Sequence, residues 1–451
     1  MHKVKLMASI GPATDDEAVF RELAKHVDGV RVNFSHGDPG EWRRRAAMAR
    51  RAGLPVLGDL RGPGVRTGVL RQDLRVAAGD VVQFKLGTEG SGSVPVPVRE
   101  FFSSIDVGDV LVMNDGRLKL VVEARGDDWA RAVAQSSGSI GSNKSIDVKG
   151  KDYPLPVLDD HDKAALSIAV EAGFEFVGVS HVRSGRDLED VRRALKELGG
   201  SAKLIAKMES KSALDNLDAI IDAADYVMVA RGDLGMTFDL EEVPVIQQRI
   251  IDESLRRGKP VMVATQLLTS MTMNPVPTRA EVVDIMTAVK QGVDALLLTD
   301  ETAVGKYPVE AVKWLERIAA KYEEESPTPP VDLALFDERM RFAQGVAKLA
   351  SDMGSKIVIF TKSGLTAVRV SRFRPGVPIL AATPSEEVAR QLRMMWGVEA
   401  IVVKARDYGE GLEEAFSNFL GMGLITRGEN VVLTYGMQDR EGEHLIKVRR
   451  A

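Results

Sequence analysis

The stretch Lys203-Leu-Ile-Ala-Lys-Met-Glu209 is a short apolar run that leads directly into a carboxylate. A second run, residues 226–230, is followed after two residues by Asp233. Parallel strands buried on both faces end at the same edge of a sheet, so Glu209 and Asp233 are expected to converge there. Two such carboxylates predict a divalent-cation site. The ammonium of Lys207 beside it suits chemistry on an anionic, phosphorylated substrate.

Short apolar runs like these alternate with amphipathic segments along much of the chain. There are eight of them, at residues 4–9, 29–34, 55–60, 176–180, 203–208, 226–230, 260–265 and 295–299. Each is apolar on both faces, as in a parallel sheet covered by helices. Eight strand–helix units predict an α/β fold, a (β/α)₈ TIM barrel, and an open doubly wound sheet is the alternative.

Two further domains are expected beside this barrel. After the third run, several apolar runs separated by turn residues predict an all-β lid inserted at the strand ends. A Pro-rich segment, residues 326–330, marks the end of the barrel, and more strand-like runs follow it. The predicted domains are residues 1–64 and 149–328 for the barrel, 65–148 for an inserted β-barrel lid, and 329–451 for a C-terminal α/β domain.

Composition excludes several other classes of protein. The chain of 451 residues has no cysteine, which rules out disulfides and thiol chemistry. Its net charge of −5 gives no overall attraction to nucleic acid or to anionic membranes. No apolar stretch has the length of a membrane span, and the first residues lack the features of a secretory signal. We therefore expect a cytoplasmic protein without nucleic-acid or membrane partners.

Polar side chains follow nearly every apolar run, where a barrel carries its catalytic groups. They include Arg31, Asn33, Ser35, His36, Asp59, Arg61, Arg66, Ser180, Lys207, Glu209, Arg231, Asp233, Thr265, Gln266, Thr299 and Glu301. Solvent exposure explains any one of them, but not cations interleaved with carboxylates on adjacent strands. Gly232 and Gly235 allow either a tight turn or a close backbone approach to a carboxylate, and the two interpretations are compatible. His36 either caps a turn or contacts a ligand.

The chain resembles the pyruvate kinase family over essentially its whole length. The segments that carry the resemblance are Ser9-Ile-Gly-Pro-Ala-Thr14, Arg31-Val-Asn-Phe-Ser-His-Gly37, Asp59-Leu-Arg-Gly-Pro-Gly-Val-Arg-Thr67, Lys207-Met-Glu209, Ala230-Arg-Gly-Asp-Leu-Gly235, Ala264-Thr-Gln266, Pro277-Thr-Arg-Ala-Glu281 and Glu301-Thr-Ala303. The resemblance implies phosphoryl transfer from phosphoenolpyruvate to ADP in glycolysis, giving pyruvate and ATP. It also implies Mg²⁺ or Mn²⁺ as cofactor and a homotetramer.

The resemblance also assigns roles to matching residues. Glu209 and Asp233 would bind Mg²⁺, and Lys207 and Arg31 would hold the phosphoryl group. The backbone amides of Gly232 and Asp233 would bind the substrate carboxylate. Thr265 would lie near the methylene carbon that is protonated, directly or through water. The implied nucleotide-phosphate or phosphoryl contacts are Asn33, His36 and Arg66.

Two departures from the family pattern concern ions and regulation. The implied K⁺ ligands are Asn33, Ser35, Asp59 and the carbonyl of Leu60. K⁺-dependent members read Thr-Lys-Gly-Pro-Glu after the aspartate, whereas this chain reads Leu60-Arg-Gly-Pro-Gly64, so we expect K⁺ to be dispensable, with Arg61 as one source of positive charge. The effector loop implied by the resemblance contains Thr361, Ser363, Gly364 and Thr366 and would bind a phosphorylated allosteric effector, although an ordinary strand-to-helix turn also explains it.

Two other functions compete with this one. A Mg²⁺-dependent barrel aldolase acting on phosphoenolpyruvate or pyruvate would explain the metal site and the arginines. It would not explain the inserted lid or the C-terminal domain. A catalytically inactive ligand sensor would explain the C-terminal loop, but not the joint presence of Lys207, Glu209, Asp233 and Thr265.

Overall fold

The protein was described from a computed structural model covering residues 3–90, 92–114, 116–325, 337–436 and 444–451. The Pro-rich segment at residues 326–330 and the predicted domain boundary at 328/329 lie outside this range. Among the described residues, no helix has both the length and the apolar character needed to cross a bilayer.

Eight parallel strands close into a barrel, which confirms the predicted fold. They are β1 (Lys5–Ser9), β2 (Gly29–Asn33), β3 (Val56–Asp59), β14 (Phe176–Val179), β15 (Lys203–Met208), β16 (Tyr226–Ala230), β17 (Val261–Ala264) and β18 (Ala295–Leu298), numbered in chain order with the strands introduced below. Their order around the barrel is β1-β18-β17-β16-β15-β14-β3-β2. All residues of β1, β3, β14, β16, β17 and β18 are buried. This is why continuous apolar runs marked them in the sequence.

Helices pack around this barrel in the order expected of strand–helix units. They are α1 (Glu17–Leu23), α2 (Pro39–Arg51), α4 (Asp160–Glu171), α5 (Gly185–Glu197), α6 (Lys211–Asp215), α7 (Leu217–Ala223), α8 (Arg231–Thr237), α9 (Val243–Arg256), α10 (Arg279–Lys290), α11 (Asp300–Ala303) and α12 (Pro308–Glu325). Several begin at a side-chain cap. In α10, for example, Thr278 Oγ1 accepts from the Glu281 amide while Glu281 accepts from the Thr278 amide. Such caps set where the loops at the barrel mouth end.

The chain between β3 and α4 forms the predicted β-rich insertion. Its strands are β4 (Val69–Leu70), β5 (Leu74–Val76), β6 (Val81–Leu86), β7 (Glu89–Gly90), β8 (Val94–Val96), β9 (Val110–Met113), β10 (Leu118–Arg125), β11 (Trp129–Ala134), β12 (Gly138–Ile140) and β13 (Asp147–Val148). Six of them form a sheet in the order β13-β9-β10-β11-β6-β8, and β12-β5 and β4-β7 form two small ladders. One short helix, α3 (Arg99–Ser104), contributes Phe101 and Phe102 to a core of its own.

A five-stranded sheet with helices forms the C-terminal part. Its strands are β19 (Lys356–Phe360), β20 (Ile379–Thr383), β21 (Val398–Val402), β22 (Asn430–Gly436) and β23 (His444–Arg450), and its helices are α13 (Glu338–Met353), α14 (Leu365–Arg372), α15 (Glu386–Leu392) and α16 (Tyr408–Gly421). The order is β21-β20-β19-β22-β23, and only β23 is antiparallel to its neighbour. Strand β23 was not predicted. The other strands correspond to predicted runs.

The barrel interior and the C-terminal sheet share one hydrophobic core. Met7, Phe176 and Tyr226 from the barrel belong to the same buried cluster as Ile359 and Met394 from the C-terminal part. The Tyr226 hydroxyl donates to the Met394 carbonyl at 3.1 Å. The C-terminal part therefore packs against the floor of the barrel, opposite the strand ends that carry the polar residues.

Candidate active site

Lys207 lies at the end of β15 and is the centre of a buried charge cluster. Its Nζ is 2.9 Å from Glu209 Oε1 and 3.3 Å from Asp59 Oδ1, and it donates to Ser180 Oγ at 2.6 Å. Burial lowers the pKa of Lys207, but the nearby carboxylates outweigh this effect and raise its pKa above the ordinary value. Lys207 is therefore a permanent cation at the barrel mouth.

Arg31 reaches the same cluster from β2. Its Nε and Nη2 both lie 2.7 Å from Asp59 Oδ2, and its Nη1 donates to Ser9 Oγ at 2.9 Å. Burial raises the pKa of Asp59, but Lys207 and Arg31 outweigh this and hold the pKa below its usual range. Asp59 thus fixes the two cations with their charges facing the barrel mouth.

Glu209 and Asp233 line one pocket, as the sequence predicted for neighbouring strand ends. Glu209 is 3% exposed, and its Oε2 accepts from the His181 amide at 2.8 Å. Within the described part of the chain, its Oε1 has no hydrogen bond beyond the ion pair with Lys207. Burial, and then repulsion by Glu209, raise the pKa of Asp233 to about 7. Two carboxylates that repel each other in a buried pocket are suited to a divalent cation, which would remove this repulsion.

Thr265 follows β17 with a left-handed backbone, φ +69°. This conformation is strongly disfavoured for a β-branched residue and occurs mainly at functional sites. Arg231 supports it, because its Nη2 donates to the carbonyls of Thr265 and Gln266 at 2.9 and 2.8 Å. Thr265 Oγ1 accepts from the Gly232 amide at 2.7 Å, which leaves the hydroxyl hydrogen available to a ligand.

The remaining predicted contacts lie around this cluster with partners of their own. Asn33 Oδ1 accepts from the Ser35 amide at 3.0 Å. His36 is exposed, and its carbonyl accepts from Trp42 Nε1 at 2.8 Å. Arg66 is half-buried, and its Nη1 donates to the Asn143 carbonyl at 3.2 Å. Burial, and then repulsion by Arg61, lower the pKa of Arg66.

His181 and Asp147 are among the pocket residues that the sequence reasoning missed. His181 follows β14 with φ +54°, and its Nδ1 is 3.7 Å from Glu209 Oε2. Asp147 comes from β13 of the insertion, and burial raises its pKa. The position of His181 directly after the strand-end Ser180 was a usable signal. Nothing in the local sequence around Asp147 indicated that the insertion would bring it to Glu209 and Asp233.

Other predicted strand-end residues have structural roles. Glu301 is 1% exposed, and its carboxylate accepts from the amides of Leu268 and Thr299 at 2.9 and 2.8 Å. The Arg61 guanidinium pairs with Asp159, while its amide donates to Asp162 at 2.9 Å. These contacts hold the loops after β3, β17 and β18 in place around the pocket.

The predicted effector loop joins β19 to α14. The Gly364 amide donates to Thr361 Oγ1 at 3.0 Å, and Gly364 has φ +83°. Thr361 and Thr366 are buried, and Lys362 lies over the Tyr408 ring at 4.8 Å. The loop thus has the left-handed glycine and helix start expected of an anion cradle or of a simple turn.

The fold and this cluster define a class: barrel enzymes that bind an anionic substrate between cations and a pair of carboxylates at the strand ends. Within that class, the chain matches two family descriptions, "Pyruvate kinase, barrel domain" over residues 1–312 and "Pyruvate kinase, alpha/beta domain" over residues 341–448. The chain belongs to the pyruvate kinase family. It is therefore a phosphotransferase of glycolysis, with phosphoenolpyruvate and ADP as substrates, and the family needs a divalent metal ion.

Individual relatives agree over the full length. A pyruvate kinase of Pyrobaculum aerophilum is 41% identical over 99% of this chain and 96% of its own length, and one of Aeropyrum pernix is 38% identical over 99% and 98%. The crystal structure of the Pyrobaculum aerophilum enzyme superposes with a TM-score of 0.92 at 39% identity, covering 100% of this chain and 99% of that one. A Cryptosporidium parvum pyruvate kinase gives 0.91 at 28% identity, covering 100% and 96%.

Proposed function

We propose that Glu209 and Asp233 hold the divalent cation, Mg²⁺ or Mn²⁺, and that Lys207 and Arg31 hold the phosphoryl group during its transfer from phosphoenolpyruvate to ADP. The observation that carries this proposal is the buried cluster in which Lys207 lies 2.9 Å from Glu209. When bound, the cation neutralises oxygens that carry negative charge in phosphoryl transfer. The residues around it supply positioning and permanent positive charge.

The rest of the substrate would be held from the turn after β16. The amides of Gly232 and Asp233 face a carboxylate at the start of α8 in this proposal. Because the Gly232 amide already donates to Thr265 Oγ1, a bound carboxylate would share or replace that acceptor. Thr265 would then lie near the methylene carbon and hold a proton at Oγ1, delivered directly or through water. Asn33, His36 and Arg66 would contact nucleotide phosphates.

Substitution of Lys207 tests this assignment. Lys207→Met should lower kcat by about 10³-fold or more, because a preorganised cation contributes mainly in the transition state. A coupled assay of pyruvate formed from phosphoenolpyruvate, ADP and Mg²⁺ measures this. Lys203→Met is the matched control, since Lys203 begins the same strand at the far end of the barrel. Near-normal turnover of Lys207→Met would overturn the assignment.

We further propose that K⁺ is dispensable. Three of the four candidate K⁺ ligands have partners within the protein: Asp59 pairs with Arg31 and Lys207, the Leu60 carbonyl accepts from Ser180 Oγ at 2.8 Å, and Asn33 accepts from the Ser35 amide. The charge beside Asp59 is supplied by Arg31 and Lys207, whereas Arg61 pairs with Asp159. Turnover with tetramethylammonium as the sole monovalent cation should match that with K⁺. A collapse that K⁺ restores would refute this.

The domain boundaries and the assembly are also proposals. The separate core of the insertion supports a domain at residues 65–148, and the C-terminal domain would begin at residue 329.

An interface between copies on the α9–α10 side of the barrel is supported by three exposed apolar side chains. They are Val245, Val276 and Val283, which are 71%, 56% and 61% exposed. We propose a cytoplasmic homotetramer, regulated through the loop of Thr361, Ser363, Gly364 and Thr366 by a phosphorylated effector. Sedimentation with and without candidate effectors measures the assembly.

A further inference from the structure

A small cavity lies at the seam between the barrel floor and the C-terminal domain, far from the strand ends that form the active site. From the barrel it is lined by Gly258, Lys259 and Asp294, which precede β17 and β18. From the C-terminal domain it is lined by Ser371, Arg372 and Arg374, at the end of α14 and directly after it. None of these residues belongs to the catalytic cluster.

Two buried donors in the wall of this cavity have no acceptor. Nε of Arg372 and Nε of Arg374 are both buried without a hydrogen-bond partner among the described residues. Arg374 uses its other nitrogens on Asp294, at 2.9 and 2.8 Å, and on the Gly292 carbonyl at 3.0 Å. Among the described residues, the hydrogen-bond partner of Arg372 is Met340 Sδ, at 3.8 Å. Buried N–H groups are almost always paired, so both donors indicate a missing acceptor.

The cavity also carries an excess of positive charge. Lys259, Arg372 and Arg374 line it, and Asp294 is the one carboxylate among the described residues that line it. Lys259 donates to the carbonyls of Asp222 and Ala224, at 3.0 and 2.7 Å, and these are neutral groups. Burial, and then the repulsion between Lys259 and Arg372, lower the pKa of Lys259 more than Asp225 and Asp222 raise it. Burial, and then Arg369, lower the pKa of Arg372 to about 10. A water molecule would satisfy the donors but not the charge.

The backbone at the cavity is strained at Arg374. Arg374 has φ +47°, a left-handed conformation that costs energy for a residue with a side chain. Its guanidinium lies 4.8 Å from the centre of the Trp396 ring and is fixed by Asp294 on one edge. These contacts fix the guanidinium and leave its Nε without an acceptor among the described residues.

The cavity has a volume of about 10 Å³, which is room for one water molecule, so we propose that it widens by movement of the partly exposed Arg372 side chain and binds an oxyanion of phosphate, either the free ion or the phosphoryl group of a small ester. Guanidinium groups match phosphate oxygens, and the lysine adds a point charge. The site would join the two domains, because the residues that would bind the anion come from both. Two elements connect the cavity to other sites of the protein. Strand β17 leads from Lys259 to Thr265 in the active site, and helix α14 leads back to the proposed effector loop at Thr361–Thr366. A bound anion would therefore stiffen the seam between the catalytic and C-terminal domains.

Anomalous diffraction from crystals of the full chain soaked in tungstate, a heavy phosphate analogue, locates the anion. We expect a peak within hydrogen-bonding distance of Arg372 that inorganic phosphate competes away. In parallel, phosphate at constant ionic strength should raise the melting temperature. The phosphate concentration for half of this shift should increase about tenfold or more in Arg372→Gln. Arg372→Lys, which keeps the charge, should weaken binding less.

The controls separate this site from other phosphate sites. Arg393→Gln is the matched variant, because Arg393 also crosses the domain boundary by donating to the Gly53 carbonyl at 2.9 Å, outside the cavity. It should keep the wild-type phosphate response. Equal stabilisation by glycerol phosphate would identify a phosphoryl group as the ligand, and stabilisation by inorganic phosphate alone would identify the free ion. Absence of a tungstate peak at Arg372, or an unchanged phosphate response in Arg372→Gln, would overturn the proposal.

Discussion

Thr265 has a strained backbone, and its hydroxyl oxygen already accepts a hydrogen bond. Its φ of +69° is held by Arg231, and Oγ1 accepts from Gly232, so the hydrogen of the hydroxyl is directed to other partners. Such strain persists only where the surroundings enforce it. The strain therefore indicates that the exact placement of Oγ1, rather than the stability of the turn, has determined this part of the structure.

The pair Thr265→Ser and Thr265→Ala isolates that hydroxyl. Both variants remove the branching methyl group, so the change in backbone strain is the same in both. We expect Thr265→Ser to keep turnover within a few-fold and Thr265→Ala to lose about 10²-fold or more, the usual contribution of a positioned proton donor. The coupled pyruvate assay measures kcat for each. Similar turnover of the two variants would show that the hydroxyl has no part in proton delivery.

The raised pKa of Asp233 predicts how stability depends on pH in the metal-free protein. The folded carboxyl has a pKa of about 7, against an ordinary value of 3.8, so the folded state retains a proton that the unfolded state releases. Its contribution to stability is complete below pH about 4 and is lost as pH rises to about 7. We expect the melting temperature in chelator to fall over this window, and to fall less in Asp233→Asn.

Two measurements check that this effect belongs to Asp233. Asp160→Asn is the control, because Asp160 has a fully exposed side chain at the start of α4, and it should keep the wild-type pH dependence. Mg²⁺ should stabilise the wild type more at pH 8 than at pH 5, since it binds the ionised carboxylates. Parallel pH curves for the wild type and Asp233→Asn would contradict the raised pKa.

At the residue scale, the sequence was sufficient where function follows from position on a strand. Lys207, Glu209, Arg31 and Asp59 were predicted because each lies in or directly after a recognisable apolar run, and the structure brings them together. Asp147 was beyond this reasoning, because its place in the pocket depends on how a separate sheet docks on the barrel. The partner of the Leu60 carbonyl, Ser180, was equally hidden, since a hydrogen bond between distant loops leaves no local pattern.

At the element scale, helix α16 shows how a glycine is required by packing rather than by the backbone. A Cβ at Gly411 would lie 2.4–2.5 Å from the ring of Phe360 on β19, so the helix can approach the sheet only without a side chain there. A Cβ at Gly421, at the end of the same helix, would have nothing within 4 Å. The two glycines therefore differ in role although they share an element.

This difference predicts opposite effects of the same substitution. Gly411→Ala should destabilise the protein by about 1–3 kcal/mol, because overpacking against Phe360 exceeds the gain in helix propensity. Gly421→Ala should stabilise it by about 0.5–1 kcal/mol, since only the propensity changes. Urea unfolding followed by circular dichroism measures both. Stabilisation by Gly411→Ala would show that β19 and α16 separate more easily than the structure indicates.

Elements were predictable in proportion to how completely they are buried. The eight barrel strands are apolar on both faces and were all found. Strand β23 reads His444-Leu-Ile-Lys-Val-Arg-Arg450 and lies at the edge of its sheet, with five of its seven side chains exposed or charged, so no continuous apolar run marked it. The short ladders of the insertion, such as Val69–Leu70 with Glu89–Gly90, depend on tertiary pairing alone.

At the scale of the whole molecule, one hydrophobic core is shared by two of the sheets. The barrel interior and the C-terminal sheet share one buried cluster, and Arg374–Asp294 and Arg390–Glu175 ion pairs cross between them. The insertion instead has a core of its own, supplemented by Tyr153 and Leu155. Barrel and C-terminal domain should therefore behave as one cooperative unit, and the insertion as another.

Calorimetry of two core variants tests this division. Phe101 is fully buried in the insertion, and Ile359 is fully buried in the shared core, so truncation of either to alanine should cost about 2–5 kcal/mol. Phe101→Ala should lower the melting temperature of one transition, assigned to the insertion, and leave the other in place. Ile359→Ala should shift the larger transition, which contains barrel and C-terminal domain together, because their shared core must open as a whole. Separate shifts of a barrel transition and a C-terminal transition would refute the shared core.

An identical shift of the entire calorimetric profile by both variants would show that the insertion does not unfold independently. The insertion could then not move over the active site as a separate unit without unfolding the barrel.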